Sequence, residues 1–287
     1  MGQHGAFGDG ITYVDGKWVE GNAPLMGSQT HAAWLSSVVF DGARSIRGMA
    51  PDLDRHCARC IASALSFGLA PPVTAEEILN LAWEGIEKFP KDAELYVRPM
   101  MFAEEGFVSP IPESTRFALV ITNSPMPDGS GFTACISSFR RPTADAAPTD
   151  AKASCLYPNS ARALQEAAKR GFDNAVVCDL LGNVAEFATA NLYCVKDGTA
   201  YTPVPNGTFL NGITRQRVMK LLREAGTEVV EQTITVNELK DADEVFSSGN
   251  YAKVSSVTKL EDRDLQPGPV AKKAFELYME FAETQRR

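Results

Sequence analysis

The segment Lys152–Phe187, KASCLYPNSARALQEAAKRGFDNAVVCDLLGNVAEF, is the most informative part of this sequence. It begins with an amine, Lys152, and continues with a phenol, Tyr157, at the start of an amphipathic helical pattern. Two short apolar strand patterns follow, and the second contains a carboxylate, Glu186, near its end. The segment therefore predicts an amine, a phenol and a carboxylate placed so that one aromatic aldehyde can contact all three.

A second segment, Phe209–Arg215, reads FLNGITR and predicts the start of another helix. A glycine-containing turn before a helix presents backbone N–H groups at the positive end of the helix dipole, where a phosphate is stabilised. A lysine that condenses with an aldehyde, a carboxylate that keeps a pyridine nitrogen protonated and a phosphate-binding turn together indicate pyridoxal phosphate as the cofactor.

Composition excludes several other kinds of protein. The chain has 287 residues, of which 44% are hydrophobic, so it has room for one large or two moderate domains. Its formal net charge is −8, and it contains no run of Lys or Arg, which argues against nucleic acid or an anionic membrane as a partner. No apolar stretch approaches the length of a membrane span, and the first residues lack the pattern of a signal peptide. We therefore expect a cytoplasmic protein that acts on small molecules.

The six cysteines do not form the pattern of a disulfide framework or a metal site. Most of them lie among apolar or small residues, which favours buried free thiols in a chain of this length. Cys57 and Cys60 have the spacing of a redox or metal-binding pair, but no second Cys or His pair completes a zinc site. We interpret them as two small residues on a helix and expect no metal.

Local patterns predict individual elements. Asp15-Gly16, between two apolar runs, predicts the tight turn of a hairpin. Thr74 and Glu77 have the spacing of a capping box at the start of a helix. Asn159 is expected to cap the helix that follows it.

A turn-rich segment predicts where the chain divides into domains. Residues 124–132 read SPMPDGSGF and lack any periodicity, so we interpret them as an interdomain loop. Residues 1–123 are expected to form a smaller α/β domain, and residues 133–287 a larger domain that binds the cofactor. The predicted fold class is mixed α/β (α+β).

Seven blocks of sequence resemble, in their order, the class IV (fold-type IV) pyridoxal-phosphate aminotransferases, which include branched-chain and D-amino acid aminotransferases and aminodeoxychorismate lyase. The resemblance covers nearly the whole chain and implies a two-domain fold whose larger domain has a barrel-like sheet. It also implies a homodimer. The blocks are Phe40–Arg44, His56–Arg59, Tyr96–Pro99, Lys152 with Tyr157, Asp179–Glu186 with Asn191-Leu192, Leu210–Arg215 and Phe246–Gly249.

The resemblance implies a role for each matching residue. Lys152 would be the catalytic residue that forms the Schiff base and carries the substrate proton. Glu186 would pair with the pyridine nitrogen, Tyr157 with the phenolic oxygen, and Arg59 with the phosphate. The remaining residues expected at the cofactor are Leu210 against the ring, Gly212, Ile213 and Thr214 at the helix start, and Gly249 and Asn250.

Substrate residues follow the family less closely. Phe40, Arg44, Tyr96 and Arg98 resemble the pocket of the branched-chain enzymes, and the two arginines are candidates to bind a carboxylate. The sequence departs from that subgroup at Trp34-Leu35-Ser36, where a tyrosine is usual, and at Asn250-Tyr251, which replaces a small Thr-Ala turn. Tyr251 is expected to add bulk and a hydroxyl beside the substrate.

The resemblance implies transamination by a ping-pong route. The favoured donor is a branched-chain or similar hydrophobic L-amino acid, and the acceptor a 2-oxo acid such as 2-oxoglutarate. Two alternatives remain open on the same scaffold: transamination of D-amino acids or (R)-amines, and the elimination reaction of aminodeoxychorismate lyase.

Overall fold

The computed structural model describes residues 9–287, which form two compact units. The first unit contains residues up to 126 together with 150–155 and 282–287, and the second contains 127–149 and 156–281. The short segment 150–155 carries Lys152. The domain bounds expected from the sequence stay a prediction, because compactness does not test which segments fold independently.

In the described part of the first unit, six strands form one antiparallel sheet in the order β2-β1-β6-β5-β3, with β4 also paired to β5. Asp15 and Gly16 join β1 to β2 with φ angles of 49° and 79°, which confirms the predicted hairpin turn. The strands are β1 (Gly10–Val14), β2 (Lys17–Glu20), β3 (Val38–Phe40), β4 (Ala43–Ile46), β5 (Glu94–Ala103) and β6 (Thr115–Asn123).

Among its described residues, this unit has the α-helices α1 (His31–Leu35), α2 (Leu53–Ser66) and α3 (Ala75–Ile86). The predicted capping box of α3 is confirmed, since Thr74 Oγ1 accepts from the N–H of Glu77 at 3.2 Å and Glu77 accepts from the N–H of Thr74 at 2.7 Å. Both Cys57 and Cys60 lie on α2 and are fully buried against the sheet. Burial raises the pKa of Cys57 to about 12 and also raises that of Cys60, as expected for structural thiols.

Strand β5 divides its side chains between two faces because successive residues of a strand point in opposite directions. Leu95 and Val97 are buried and belong to the core formed with α2 and α3. Tyr96 and Arg98 alternate with them and are only half-buried. The candidate substrate residues of this strand therefore lie on the face opposite the core.

The second unit has a nine-stranded mixed sheet in its described residues, in the order β12-β11-β10-β13-β14-β7-β8-β9, with β15 paired to β14. Pairs β11–β12, β14–β7 and β7–β8 are parallel, and the other pairs are antiparallel. The strands are β7 (Phe132–Arg140), β8 (Asn174–Cys178), β9 (Val184–Phe187), β10 (Asn191–Lys196), β11 (Thr199–Pro203), β12 (Val229–Gln232), β13 (Glu244–Gly249), β14 (Lys253–Leu260) and β15 (Arg263–Asp264).

Its helices are α4 (Tyr157–Lys169), α5 (Ile213–Glu224), α6 (Val236–Lys240) and α7 (Pro269–Glu283). The expectation that Asn159 caps α4 is wrong. A 3-10 turn at Ser154–Leu156 leads directly into the helix, so Asn159 lies within the first turn and its amide donates to the carbonyl of Arg140 at 2.8 Å. The competing long-range acceptor explains why the local preference for a cap did not decide the helix start.

Alternation along β10 separates the two main cores of this unit. Leu192 and Cys194 face one cluster together with Phe187. Tyr193 and Val195 face the other, where α5 and α7 pack. Asn191, the first residue of β10, contacts the turn before α5 through side-chain hydrogen bonds that are described below.

Over residues 9–287, no helix is both long and apolar enough to cross a membrane. Within the same range, His, Cys, Asp and Glu side chains form no group of three or more that could hold a metal ion.

Candidate active site

Lys152 is held in the first unit by its backbone. Its carbonyl accepts from the N–H of Phe40 at 3.0 Å, and its own N–H donates to Ser63 Oγ at 3.0 Å. The neighbouring residue Ala153 is fully buried and forms a β-bridge with Val39. The side chain of Lys152 is half-buried, with Nζ 5.2 Å from the centre of the Phe40 ring. The backbone is thus fixed on both sides of a lysine whose amine remains partly accessible.

Arg59 is oriented by a buried carboxylate, Asp41. The guanidinium donates to both Asp41 oxygens, from Nε at 2.6 Å and from Nη2 at 2.9 Å. His56 Nδ1 lies 2.7 Å from the same carboxylate, which also accepts from the N–H of Gly42 at 2.7 Å. Burial by itself raises the pKa of Asp41, but Arg59 and His56 outweigh burial and hold the pKa well below its usual range.

The two candidate substrate arginines have different environments. Arg44 lies on β4 directly opposite Tyr96 and is fully buried, and its guanidinium donates to the carbonyl of Ser124 at 2.5 Å and to its hydroxyl at 3.3 Å. Arg98 is only half-buried, although its Nε is enclosed and has no hydrogen-bond partner among the described residues. The two arginines therefore differ in burial and in the contact with Ser124, which holds the Arg44 guanidinium within the unit.

Tyr96 occupies space that only a glycine leaves open. A Cβ added to Gly42 would lie 2.1 Å from the Tyr96 hydroxyl oxygen and 2.7 Å from the ring carbon that carries it. Gly42 directly follows Asp41. The same short segment therefore orients Arg59 through Asp41 and leaves space for the Tyr96 side chain at Gly42.

In the second unit, Glu186 is held by two side chains. Arg141 Nε lies 3.3 Å from Glu186 Oε1 and also donates to the carbonyl of Thr208 at 2.9 Å. Asn191 Nδ2 donates to Glu186 Oε2 at 3.2 Å. Both Arg141 and Asn191 are buried, so the Glu186 carboxylate is oriented by two buried side chains.

Asn191 also connects Glu186 to the start of α5. Its Nδ2 donates to the carbonyl of Leu210 at 3.0 Å, and its Oδ1 accepts from the N–H of Gly212 at 3.2 Å. A Cβ on Gly212 would lie 2.1 Å from that Oδ1, so a larger residue would displace Asn191. One side chain thus orders both the carboxylate and the turn before the helix.

The first turn of α5 has the properties of an anion site. Ile213 and Thr214 are buried, and Gly212 immediately precedes them. The N–H groups of Ile213 and Thr214 have no acceptor within the helix. The first turn of the helix also contains no acidic residue that could accept hydrogen bonds from them. Together with the helix dipole, this arrangement favours a phosphate.

Gly249 is the last residue of β13, and Asn250 and Tyr251 lie in the turn that leads to β14. Asn250 Oδ1 accepts from Lys253 Nζ at 2.7 Å, while Asn250 Nδ2 is enclosed without a partner among the described residues. The hydroxyl of Ser248, which is 1% exposed, has none there either. Tyr251 is exposed. Buried donors of this kind usually have a hydrogen-bond partner, so both are candidates to contact a bound group.

The structure therefore gathers the sequence-predicted residues into two groups. Phe40, Arg44, Arg59, Tyr96, Arg98 and Lys152 belong to the first unit. Tyr157, exposed as the first residue of α4, belongs to the second unit with Glu186, half-buried Leu210, Gly212, Ile213, Thr214, Gly249, Asn250 and Tyr251. The roles assigned to these residues stay predictions.

Sequence reasoning missed four residues that orient others: Asp41, Arg141, Asn191 and Lys253. Asp41 and Asn191 stand inside blocks that carried the family resemblance, and that position was a usable signal. Arg141 and Lys253 look like ordinary solvated cations in the sequence, and only their burial distinguishes them.

Comparison with known proteins gives a consistent result. A family model described as amino-transferase class IV matches residues 38–260. A branched-chain-amino-acid aminotransferase of Pseudomonas aeruginosa is 32% identical over 287 residues, covering 95% of this chain and 93% of its own. A putative branched-chain-amino-acid aminotransferase of Methanocaldococcus jannaschii is 30% identical, covering 94% and 95%.

Solved structures agree with the sequence comparison. An aminotransferase from Brucella abortus bound to pyridoxal phosphate is 51% identical and aligns with a TM-score of 0.95, covering 96% of this chain and 99% of its own. A branched-chain aminotransferase from Thermoproteus uzoniensis, solved with norvaline, is 28% identical with a TM-score of 0.88, covering 97% and 96%. These matches confirm the predicted fold-type IV architecture, pyridoxal phosphate as cofactor and transamination as the reaction. The chain belongs to the class IV aminotransferases.

Proposed function

We propose that this enzyme transfers an amino group from a branched-chain or similar hydrophobic L-amino acid to a 2-oxo acid such as 2-oxoglutarate, with Lys152 as its catalytic residue. The observation that carries the proposal is the Glu186–Asn191–Gly212 connection. It supports the proposed cofactor site, because one buried amide side chain contacts both Glu186 and the turn before α5.

The residues present fit pyridoxal phosphate. Asn250 Nδ2 and Ser248 Oγ are enclosed donors without partners among the described residues, as expected beside a phosphate. The first turn of α5 presents further donors, and Arg59 is held in one orientation by Asp41. In this proposal Arg59, Gly212, Ile213, Thr214, Gly249 and Asn250 hold the phosphate, Leu210 contacts the ring, and Tyr157 and Glu186 contact the ring substituents.

When bound, pyridoxal phosphate supplies an aldehyde that condenses with primary amines and a ring that withdraws electrons from the substrate Cα. Glu186 would hold a proton on the ring nitrogen, and Arg141 Nε lies 3.3 Å from its Oε1. Lys152 Nζ would take the proton from the substrate Cα and deliver it to the carbon of the cofactor's former aldehyde, because return of the proton to Cα would give no amino transfer. The backbone contacts of Lys152 hold this base in place while its side chain moves.

Substrate recognition is assigned to the non-core face of the first unit's sheet. Arg98 is our candidate to bind a carboxylate, because its side chain is half-buried on the non-core face of β5, whereas Arg44 is fully buried. Arg44 is assigned a supporting role, since its guanidinium already donates hydrogen bonds to Ser124. Phe40 and Tyr96 are our candidates to contact an apolar side chain. Tyr251, which is exposed in the second unit, stays a candidate to add bulk beside the substrate.

A panel of amino donors tests the proposal directly. The purified holoenzyme is incubated with L-leucine, L-valine, D-alanine or an (R)-amine, each with 2-oxoglutarate or pyruvate, and products are separated by chiral chromatography. We expect the highest kcat/KM for L-leucine or L-valine with 2-oxoglutarate. Preference for the D-amino acid or the (R)-amine would overturn the donor assignment. In a separate incubation with aminodeoxychorismate and no acceptor, release of pyruvate would indicate a lyase.

We also propose that the enzyme is a homodimer. Trp34, Leu35, Phe107, Val108 and Ile111 of the first unit are exposed, and the Trp34 and Phe107 rings lie 6.1 Å apart. Large apolar side chains exposed side by side are typical of an interface. Light scattering after size exclusion should give twice the mass of the 31.1 kDa chain, and Phe107→Asp should shift the protein toward the monomer. A monomeric wild type would exclude this assembly.

A cytoplasmic location is the remaining proposal. All six cysteines are free, five of them buried and Cys155 exposed, which suits a reducing compartment. Fractionation of the native cells, followed by immunodetection, tests the location.

A further inference from the structure

Lys253 is the first residue of β14 and is fully buried. Its backbone adopts a left-handed conformation, with φ of 62°, at the point where it pairs with Gly249 across the hairpin. The ammonium lies 2.7 Å from Asn250 Oδ1 and 5.4 Å from the centre of the buried Tyr278 ring. Burying a charged lysine costs free energy unless its ammonium is hydrogen-bonded, so the contact with Asn250 is important for it.

The contact with Lys253 decides which way the Asn250 amide points. An ammonium has only donors, so the amide must turn its oxygen toward Lys253 and its Nδ2 away from it. That Nδ2 is enclosed and has no acceptor among residues 9–287. The chemistry of the pair therefore leaves a donor aimed at a group that the protein itself does not supply.

The location of this donor is defined by neighbouring strands of the same unit. Ser248, whose hydroxyl is also enclosed without a partner among the described residues, pairs with Asn191 across β13 and β10. The Asn191 side chain accepts from Gly212 just before α5, and α5 packs against β13. Ser248 thus lies on the strand next to Asn191, which orders the phosphate-binding turn, and Asn250 follows two residues later in the turn after that strand.

We infer that Lys253 is a positioning residue of the phosphate site: it locks the Asn250 amide so that Nδ2 donates to the cofactor phosphate. The inference rests on the proposed function, which puts Asn250 at the phosphate. It extends that proposal by assigning part of the affinity for phosphate to a buried lysine that is remote in sequence from Lys152 and Arg59.

A double-mutant cycle tests the inference. The affinity of the apoenzyme for pyridoxal phosphate is measured by absorbance titration for wild type, Lys253→Met, Asn250→Ala and the double variant. We expect Lys253→Met to weaken binding about tenfold, the equivalent of one charge-supported hydrogen bond. In the Asn250→Ala background the same change should have less than a threefold effect, because Lys253 acts through Asn250. Equal losses in both backgrounds would overturn the inference.

Two further variants separate positioning from a merely structural role. Lys259→Met, on the same strand but only half-buried, should keep wild-type affinity. Asn250→Asp retains an oxygen for Lys253 but replaces the donor with a carboxylate, so it should bind phosphate more weakly than Asn250→Ala. Affinity in Asn250→Asp equal to wild type would show that Nδ2 does not reach the phosphate, and it keeps the test valid if Lys253→Met does not fold.

Inorganic phosphate provides a readout that does not depend on turnover. Phosphate should raise the melting temperature of wild-type apoenzyme more than that of Lys253→Met. Equal protection of both proteins would contradict a role at the phosphate site. If instead the wild type neither bound pyridoxal phosphate nor transaminated any donor, the proposed function would fail and not the role of Lys253.

Discussion

Replacing Asp41 with Asn tests how strongly one buried carboxylate orders Arg59. Asp41 is fully buried and accepts hydrogen bonds from Gly42, from His56 and twice from Arg59, at 2.6 to 2.9 Å. An asparagine has one acceptor oxygen, and its NH2 group would face donors. Breaking a buried charge pair by removing one partner costs about 3–5 kcal/mol. We expect the free energy of unfolding of Asp41→Asn to fall by this amount.

The exposed ion pair between Arg116 and Asp15 is a matched control. It is also bidentate, with both Asp15 oxygens 2.9 Å from Arg116 Nη2, but the Asp15 side chain is 66% exposed. Exposed pairs contribute only about 0–1 kcal/mol, so Asp15→Asn should change stability little. Urea-induced unfolding, followed by fluorescence and circular dichroism, measures both variants. A loss below about 1 kcal/mol for Asp41→Asn would refute the reasoning.

The same carboxylate predicts the direction of the pH dependence. Because the pKa of Asp41 is lower in the folded protein than in the unfolded chain, its contribution to stability is complete above the unfolded value of about 3.9 and is lost as pH falls below it. Wild type should therefore lose more stability than Asp41→Asn between about pH 5 and pH 3. Parallel pH profiles of the two proteins would contradict this assignment.

Further predictions concern the catalytic and substrate residues. Lys152→Ala should abolish the absorption band of lysine-linked cofactor and lower turnover by at least about 10²–10⁴-fold, while phosphate-dependent binding persists; an unchanged spectrum would remove Lys152 from its role. Arg98→Ala should lose about 1.5–3 kcal/mol of transition-state stabilisation with 2-oxoglutarate and less with pyruvate, measured as kcat/KM. Arg44→Ala should lower thermal stability without changing that preference, because its guanidinium donates to Ser124; a selective loss with 2-oxoglutarate would reverse the two assignments. Gly42→Ala should raise KM for hydrophobic donors, since its Cβ would lie 2.1 Å from the Tyr96 hydroxyl, and an unaltered KM would show that Tyr96 relaxes freely.

Local sequence was sufficient where the interacting groups are neighbours along the chain. The capping box of Thr74 and Glu77 and the positive φ angles of Asp15-Gly16 involve residues at most three positions apart, so their chemistry does not depend on the rest of the fold. The order of Lys152, Tyr157 and Glu186 and the turn before Ile213 were likewise recognisable as a pattern, and the comparisons confirm the cofactor that this pattern indicated.

Tertiary structure decided what depends on burial and on partners remote in sequence. Asn159 has the residue type of a helix cap, yet it donates to Arg140 within the first turn of α4. Arg44 and Arg98 are the same residue type in the sequence, but of the two only Arg44 donates a hydrogen bond to Ser124, which lies 80 residues away. Lys253 resembles any surface lysine until the fold buries it against Asn250 and Tyr278. Charge and residue type are properties of the sequence, whereas the free energy of a charge depends on its desolvation and partners, and these exist only once the chain has folded.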